Sequence, residues 1–231
     1  MILYSKMNKD LGNRIDFHIH SIFSDGTLLP AAIAREAEVK GHEAIAISDH
    51  VDASNLEEVI AALTKFVKKQ GDTLPVKVLP GVELSYLRPD LIKDYAKHAR
   101  KLGAKIIVVH GQSPVEPVIL GTNAEAVKLK GLIDILAHPG NTLTEDEARL
   151  AKENGVFLEL STRRGHKDGN RHVAEVAKRI GAKLIVDTDA HNETDLITQE
   201  QAYQVALDAG LSEDEAVKVV RDNPRELLAR T

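Results

Sequence analysis

The chain of 231 residues contains no cysteine and no tryptophan. Without thiols there can be no disulfide, no thiolate zinc site and no cysteine nucleophile, so any transition metal must be held by histidine, aspartate and glutamate. Aromatic residues make up 3% of the sequence, which predicts an aliphatic core and argues against stacking platforms for single-stranded nucleic acid. The formal net charge is -5, with no run of five or more basic residues, so an extended nucleic-acid partner is not expected. Nowhere do eighteen apolar residues run together, and the opening MILYSKMNKDLGNR lacks the apolar centre of a secretory signal. The expectation is a soluble cytoplasmic protein with no membrane partner. Oligomeric state is not legible in these residues.

What the sequence does have is a repeat of short runs rich in β-branched and aliphatic residues, at 15–19, 43–48, 76–80, 105–109, 133–137, 156–160 and 183–187. Their starts are 23 to 33 residues apart, the length of a strand, a helix and two loops. The runs are nearly continuous in apolar character, as parallel strands buried on both faces should be. Between them lie helical patterns. Leu56, Val59, Ile60, Leu63, Phe66 and Val67 fall on one face and stop at Gly71, Thr144 to Glu147 forms a capping-box pattern, and glycines 41, 103, 181 and 210 follow helical stretches. No linker rich in Pro, Gly or Ser divides the chain, which predicts one domain over 1–231 with residues 1–14 as an N-terminal extension. An open doubly wound sheet and a closed barrel both fit this pattern.

The residues that follow the strands carry the chemistry. The first run leads to His18 and His20, the second to Asp49 and His50, the third to Glu83, the fourth to His110, the fifth to His138, and the seventh to Asp187, Asp189 and His191. In a strand His18 and His20 share a face. One histidine after a strand is commonly a cap or a satisfied core residue, but ligand types at six of seven strand ends are not independent accidents. In a closed parallel barrel these ends surround one mouth, where active sites lie. The sixth run ends instead in LELSTRRGHKDGNR, with Arg163, Arg164, His166, Lys167 and Arg171, the densest cationic cluster in the chain. Beside a cage of metal ligands it suggests a substrate bearing negative charge, most simply phosphate. His42, His98 and His172 lie away from strand ends and read as surface or structural.

In order, the HxH of His18 and His20, then SDG, SDH, GVE, VVH, AHP and DTDAH resemble the PHP superfamily, whose name joins polymerase and histidinol phosphatase. The resemblance runs from Arg14 to NPRELL near the end of the sequence. It implies a distorted seven-stranded (β/α)7 TIM-like barrel in the α/β class, with a trinuclear metal centre at its mouth. By motif, one divalent ion would be held by His18, His20, Glu83 and Asp189. A second would share Glu83 and add His110 and His138, and the third would take Asp25, His50 and His191. Imidazole and carboxylate suit Zn, Mn or Fe, without selecting among them. Asp16, Asp49 and Asp187 are candidates to orient the histidine rings.

The function implied is a metal-dependent phosphatase, a hydrolase acting on a small phosphomonoester that is histidinol-phosphate-like, a sugar phosphate or a nucleotide. A water between the two cations bridged by Glu83 would supply the nucleophile. Arg163 and Arg164, with His166 and Arg171, would hold the phosphate, and His191 or a water would protonate the leaving group. Rival readings are a phosphodiesterase or exonuclease of PHP type, a non-catalytic barrel binding module like the barrel-type protein subunit of RNase P, and an amidohydrolase-like C–N hydrolase. The last of these often uses a bridging lysine where this chain has Glu83.

Overall fold

The β-branched runs do become strands, and all of them are parallel. A computed structural model of the protein describes residues 9–113 and 115–231; residues 1–8 of the expected N-terminal extension lie outside the described residues. In chain order the strands are β1 (Arg14–Asp16), β2 (His42–Ile47), β3 (His50–Val51), β4 (Lys77–Leu84), β5 (Ile106–His110), β6 (Ile135–Ala137), β7 (Phe157–Ser161) and β8 (Leu184–Asp187). They pair in the order β1-β2-β4-β5-β6-β7-β8. The two-residue β3 rejoins β4 at His50 opposite Glu83, after β2 has left it at Ile47 opposite Pro80. β2 and β3 therefore act as one stave, and seven staves make a nearly closed barrel, the distorted (β/α)7 architecture expected.

The seam between β8 and β1 is closed unconventionally. A backbone bridge joins Ile19 and Ala190, with the His20 N–H donating to the Ala190 carbonyl at 2.8 Å. Below it, side chains replace the ladder. The Phe17 N–H donates to Asp187 Oδ1 at 2.9 Å, the Thr188 N–H donates to Asp16 Oδ1 at 3.3 Å, and the buried Arg14 guanidinium donates to the Val186 carbonyl at 2.8 Å. A buried backbone N–H without a partner is costly, so these acids complete what the short β1 leaves open.

Helices α1 (Pro30–Val39), α2 (Leu56–Gln70), α3 (Pro89–Leu102), α4 (Thr122–Ala126), α5 (Glu145–Asn154), α6 (Asn170–Ile180), α7 (Gln199–Asp208), α8 (Glu213–Val217) and α9 (Asn223–Leu228) stand outside the strands. An isolated helix as short as α2 is marginal in water. Its stability comes from Val59, Ile60 and Leu63, which are fully buried and contribute about 1.5–3 kcal/mol each on burial. α5 opens with both hydrogen bonds of the Thr144–Glu147 capping box, and Gly103 and Gly181 end α3 and α6 in the left-handed region. α2 stops at Gly71 as expected, but not through a left-handed residue. The φ of Gly71 is -53°, and the chain tightens there into a 3-10 turn at Gly71–Thr73. Beyond α8 the helix changes character, because Pro224 has no N–H to give. The chain passes from α8 through a π turn at Lys218–Asp222 into α9, and Gln199 Nε2 donates to the Val220 carbonyl at 2.9 Å.

Period-two rows fill the barrel interior. Leu79, Ile106 and Val108, Ile135 and Ala137, Phe157, and Ile185 form one buried apolar cluster, with Leu227 of α9 packed among them. Further toward the carboxyl ends, the same rows present Glu83, His110, Glu159 and Asp187, all buried. Apolar below and polar above, the interior delivers its charged groups to one mouth. Among the described residues, no helix is long and apolar enough to cross a membrane.

Candidate metal centre

Nine side chains expected as ligands converge at this mouth from every stave except β7. In the first lobe, His20 Nε2 lies 3.0 Å and His18 Nε2 3.7 Å from Asp189 Oδ1, while Glu83 Oε2 lies 3.4 Å from His18 Nε2 and 3.6 Å from His20 Nε2. In the second, Glu83 Oε1 stands 3.1 Å from His110 Nδ1 and 3.8 Å from His138 Nε2. In the third, Asp25 Oδ2 lies 3.1 Å from His191 Nε2 and 3.7 Å from His50 Nε2. Glu83 thus faces two lobes with its two oxygens. His50 also touches the bridge, its Nδ1 being 2.6 Å from Glu83 Oε2.

Several of these pairs, at 3.4–3.8 Å, are long for hydrogen bonds and suit ligands of a common cation. Atoms about 2.1 Å from a common cation in tetrahedral array lie about 3–3.5 Å from one another. The buried His18 Nε2, both ring nitrogens of His20 and of His138, Glu83 Oε2 and Asp189 Oδ1 make no well-directed hydrogen bond, even where two of them approach closely. Burying so many polar atoms unpartnered is prohibitive unless something else satisfies them. A sulfur-free set of imidazoles and carboxylates fits one or more divalent cations. Strain marks the same place. Among the described residues, the non-glycine residues with positive φ are Tyr86 (55°), His138 (29°) and Asp189 (53°), all at the mouth.

The charges within the cage favour its acids as anions. Burial drives the Glu83 carboxyl up, but His18, His50 and His110 outweigh it and hold the group well below the usual range. Burial likewise opposes ionisation of Asp189, and His18 and His20 overcome it. Burial lowers His20 to about 4, with help from His50, and carries His138 well below its ordinary value. These two rings therefore present lone pairs at neutral pH, the form a metal requires. His18 moves the other way. Burial lowers it, but Glu159, Glu83 and Asp189 raise it further, and Glu83 and Glu116 lift His110 to about 10 against its own burial.

Rings are oriented by groups other than those expected. Asp16 pairs with Arg14, Asp49 accepts from the Ser21 N–H, the Ser21 hydroxyl and the Ser24 hydroxyl, and Asp187 accepts from the Phe17 N–H. None of the three carboxylates is hydrogen-bonded to a histidine ring; they brace the loop and the seam beneath the rings. The carboxylate that does hold a ligand is Glu159, whose Oε1 lies 2.8 Å from His18 Nδ1 and whose Oε2 accepts the His138 N–H at 2.8 Å. An acid within the apolar LELS of β7 is the signal that marks it, since it can be buried there only with partners. Ser85 Oγ lies 2.6 Å from His50 Nδ1, and Glu116, on the loop after β5, contacts His110 Nε2.

The basic loop divides. Arg163 Nη1 lies 2.6 Å from His191 Nδ1 and donates to the Asp189 carbonyl at 3.3 Å. With His191, Asn192 and the exposed Arg164 and Lys167 it lines a cleft of about 760 Å³ beside the third lobe. Arg171 is carried away on α6, where Nη2 donates to the Asp208 carbonyl at 3.4 Å. His166 is buried, stacked on His138 with ring centroids 3.9 Å apart. His42, His98 and His172 lie outside the cage, on the Ala37 carbonyl, Glu57 and the Leu143 carbonyl.

Fold and site together define a class: a parallel α/β barrel with a histidine and carboxylate cage at the carboxyl ends of its strands. The sequence matches the PHP domain over residues 16–125. It is 45% identical over 220 residues to an uncharacterized protein of Methanocaldococcus jannaschii, covering 94% of this chain and 99% of that one. It is 30% identical over 219 residues to a probable phosphatase of Thermoanaerobacter sp. strain X514, covering 87% and 88%. This chain belongs to the PHP family of phosphoesterases. Its fold is also similar to that of a chain in the cryo-EM structure of archaeal ribonuclease P with mature tRNA, with a TM-score of 0.67, 20% identity, and coverage of 94% and 89%.

Proposed function

We propose that the protein is a metal-dependent phosphatase that hydrolyses a small phosphomonoester, using up to three divalent cations held by His18, His20, Asp25, His50, Glu83, His110, His138, Asp189 and His191. The observation that carries this reading is the set of buried, unpartnered donor atoms on His18, His20, Glu83, His138 and Asp189. When bound, cations supply Lewis acidity and an activated water, so no residue nucleophile is required. The rest falls to the chain. Glu83 spans two lobes and fixes their spacing. With Nε2 given to a cation, His191 keeps its Nδ1–H on the Asp189 carbonyl, 2.8 Å away, and releases Arg163 Nη1 to phosphate oxygens. A guanidinium so placed offsets the charge that builds on the transferring phosphoryl group, and Arg164 at the rim of the same cleft draws the anion in. His191 belongs to both cage and cleft, but with Nε2 given to a cation and its Nδ1–H on the Asp189 carbonyl it has no proton to spare, so a water in the cleft protonates the leaving alkoxide.

Glu83→Ala is the direct test. It should remain folded, lose cations and lose phosphate release together. A Glu83→Ala protein that keeps most of its activity with reduced metal content refutes the bridging role.

A further inference from the structure

We infer that His166 is a tenth donor of the cage, forming with His138 and Asp189 a cation position that the motif-based ligand set does not contain. The inference rests on the metal-centre reading above and extends it to a residue expected to meet substrate at the rim.

His166 lies at the end of the loop that follows β7, at the entrance to a 3-10 turn at Lys167–Gly169. Its side chain is 3% exposed, and its ring stacks on His138 with an interplanar angle of 23°. One donor atom each from His138, His166 and Asp189 lie within 4.8 Å of one another. The alternative is a core histidine satisfied at both nitrogens. His166 does not meet that description. Nδ1 has Ser113 Oγ at 3.2 Å, but the acid nearest Nε2, Glu116 Oε1, is 3.8 Å away, too far for a hydrogen bond. A ring tied at Nδ1 and open at Nε2 is how metal-bound histidines are commonly held. The need lies with its neighbours: both ring nitrogens of His138 and Oδ1 of Asp189 are buried without a well-directed hydrogen bond.

Two imidazoles and a carboxylate suit Zn, Mn, Fe or Co. A cation there ties the loop after β7 to β6 and β8. Through Ser113 and Glu116 it also engages the loop after β5. Because Arg163 sits three residues before His166, filling this position would fix the stem of the phosphate-binding loop.

Cobalt(II) is the probe, read by its visible absorption and by competition with a chromophoric chelator, for the wild type, His166→Ala and His166→Gln. Both variants should lose at least about tenfold in affinity at one cobalt position and change its absorption bands, while the other positions keep their affinities. Identical affinities and bands in all three proteins overturn the inference while leaving the metal centre intact. A wild type that binds no cobalt overturns the metal-centre reading itself, and this inference with it. His166→Gln keeps the side-chain volume and a donor for Ser113, so it decides the matter if His166→Ala does not fold.

Discussion

Glu159→Gln is the sharpest test of how the cage is held, because one carboxylate serves two ligands. Its two oxygens accept from His18 Nδ1 and from the His138 N–H, each at 2.8 Å. With the His18 proton fixed on Nδ1, the lone pair belongs to Nε2, which faces Glu83 and Asp189. Glutamine keeps the volume but has one oxygen. If that oxygen stays on the His138 N–H, the amide NH2 meets Nδ1, drives the proton to Nε2 and points an N–H into the cage. Losing such a carboxylate partner costs about 10–100-fold in metal affinity, or about 1.4–2.8 kcal/mol. Glu159→Ala should also lower folding stability by about 1–3 kcal/mol, since the His138 N–H is left buried and unmet. Chelator competition at neutral pH measures the first effect and thermal unfolding the second. A Glu159→Gln protein that binds cations as tightly as wild type would refute the argument that this hydrogen bond sets the His18 tautomer.

Three further outcomes follow from the same geometry. Arg163→Met should lower kcat/KM for a phosphomonoester by about 10–100-fold, the scale of a charge-assisted hydrogen bond, with metal content unchanged; an unaltered kcat/KM removes Arg163 from the site. His42 is lowered by burial, and next by Arg14, from 6.5 to about 4. The unfolded chain therefore takes up its proton first, and about 3 kcal/mol of stability, fully present above pH 6.5, is lost as the pH falls to 4. His42→Gln should flatten that part of the stability profile, and superimposable curves would contradict the assignment. A Cβ on Gly111 would lie 2.2 Å from the Ala137 carbonyl oxygen, so Gly111→Ala should force the ends of β5 and β6 apart. The cost should be about 1–3 kcal/mol in thermal unfolding, with weakened metal binding; a wild-type melting curve would show that the two strands have room to move.

The staves were legible because parallel strands buried on both faces write themselves as apolar runs, and the donors because each run ends at the same mouth. The differences arise where side chains do backbone work. The run 15–19 reads as one strand, yet β1 stops at Asp16 because Asp187 and Asp16 take over hydrogen bonds that a ladder would have made. The third run reads as ending at residue 80, but β4 runs on through Gly81 and Glu83 to Leu84, since β3 returns to pair with it. Nothing local announces a two-residue strand whose partner lies over thirty residues away. Acids adjacent to the ligands in sequence read as the orienting groups, whereas the one that holds His18 comes from β7, 141 residues on. The LELSTRRGHKDGNR cluster shows the same limit. Helix α6 turns Arg171 outward and the loop packs His166 inward, leaving Arg163 and Arg164 on the cleft.

The central claim is that the mouth of this barrel holds divalent cations that hydrolyse a phosphomonoester. The most direct measurement is to prepare the protein with manganese, iron and zinc in turn, quantify bound metal per chain, and follow phosphate release from p-nitrophenyl phosphate, its bis ester, histidinol phosphate, sugar phosphates and nucleotides. Two to three cations per chain and preferential turnover of a monoester, abolished by chelation and restored by metal, are expected. Protein that binds no metal and releases no phosphate in any form would contradict it and leave a binding scaffold in its place.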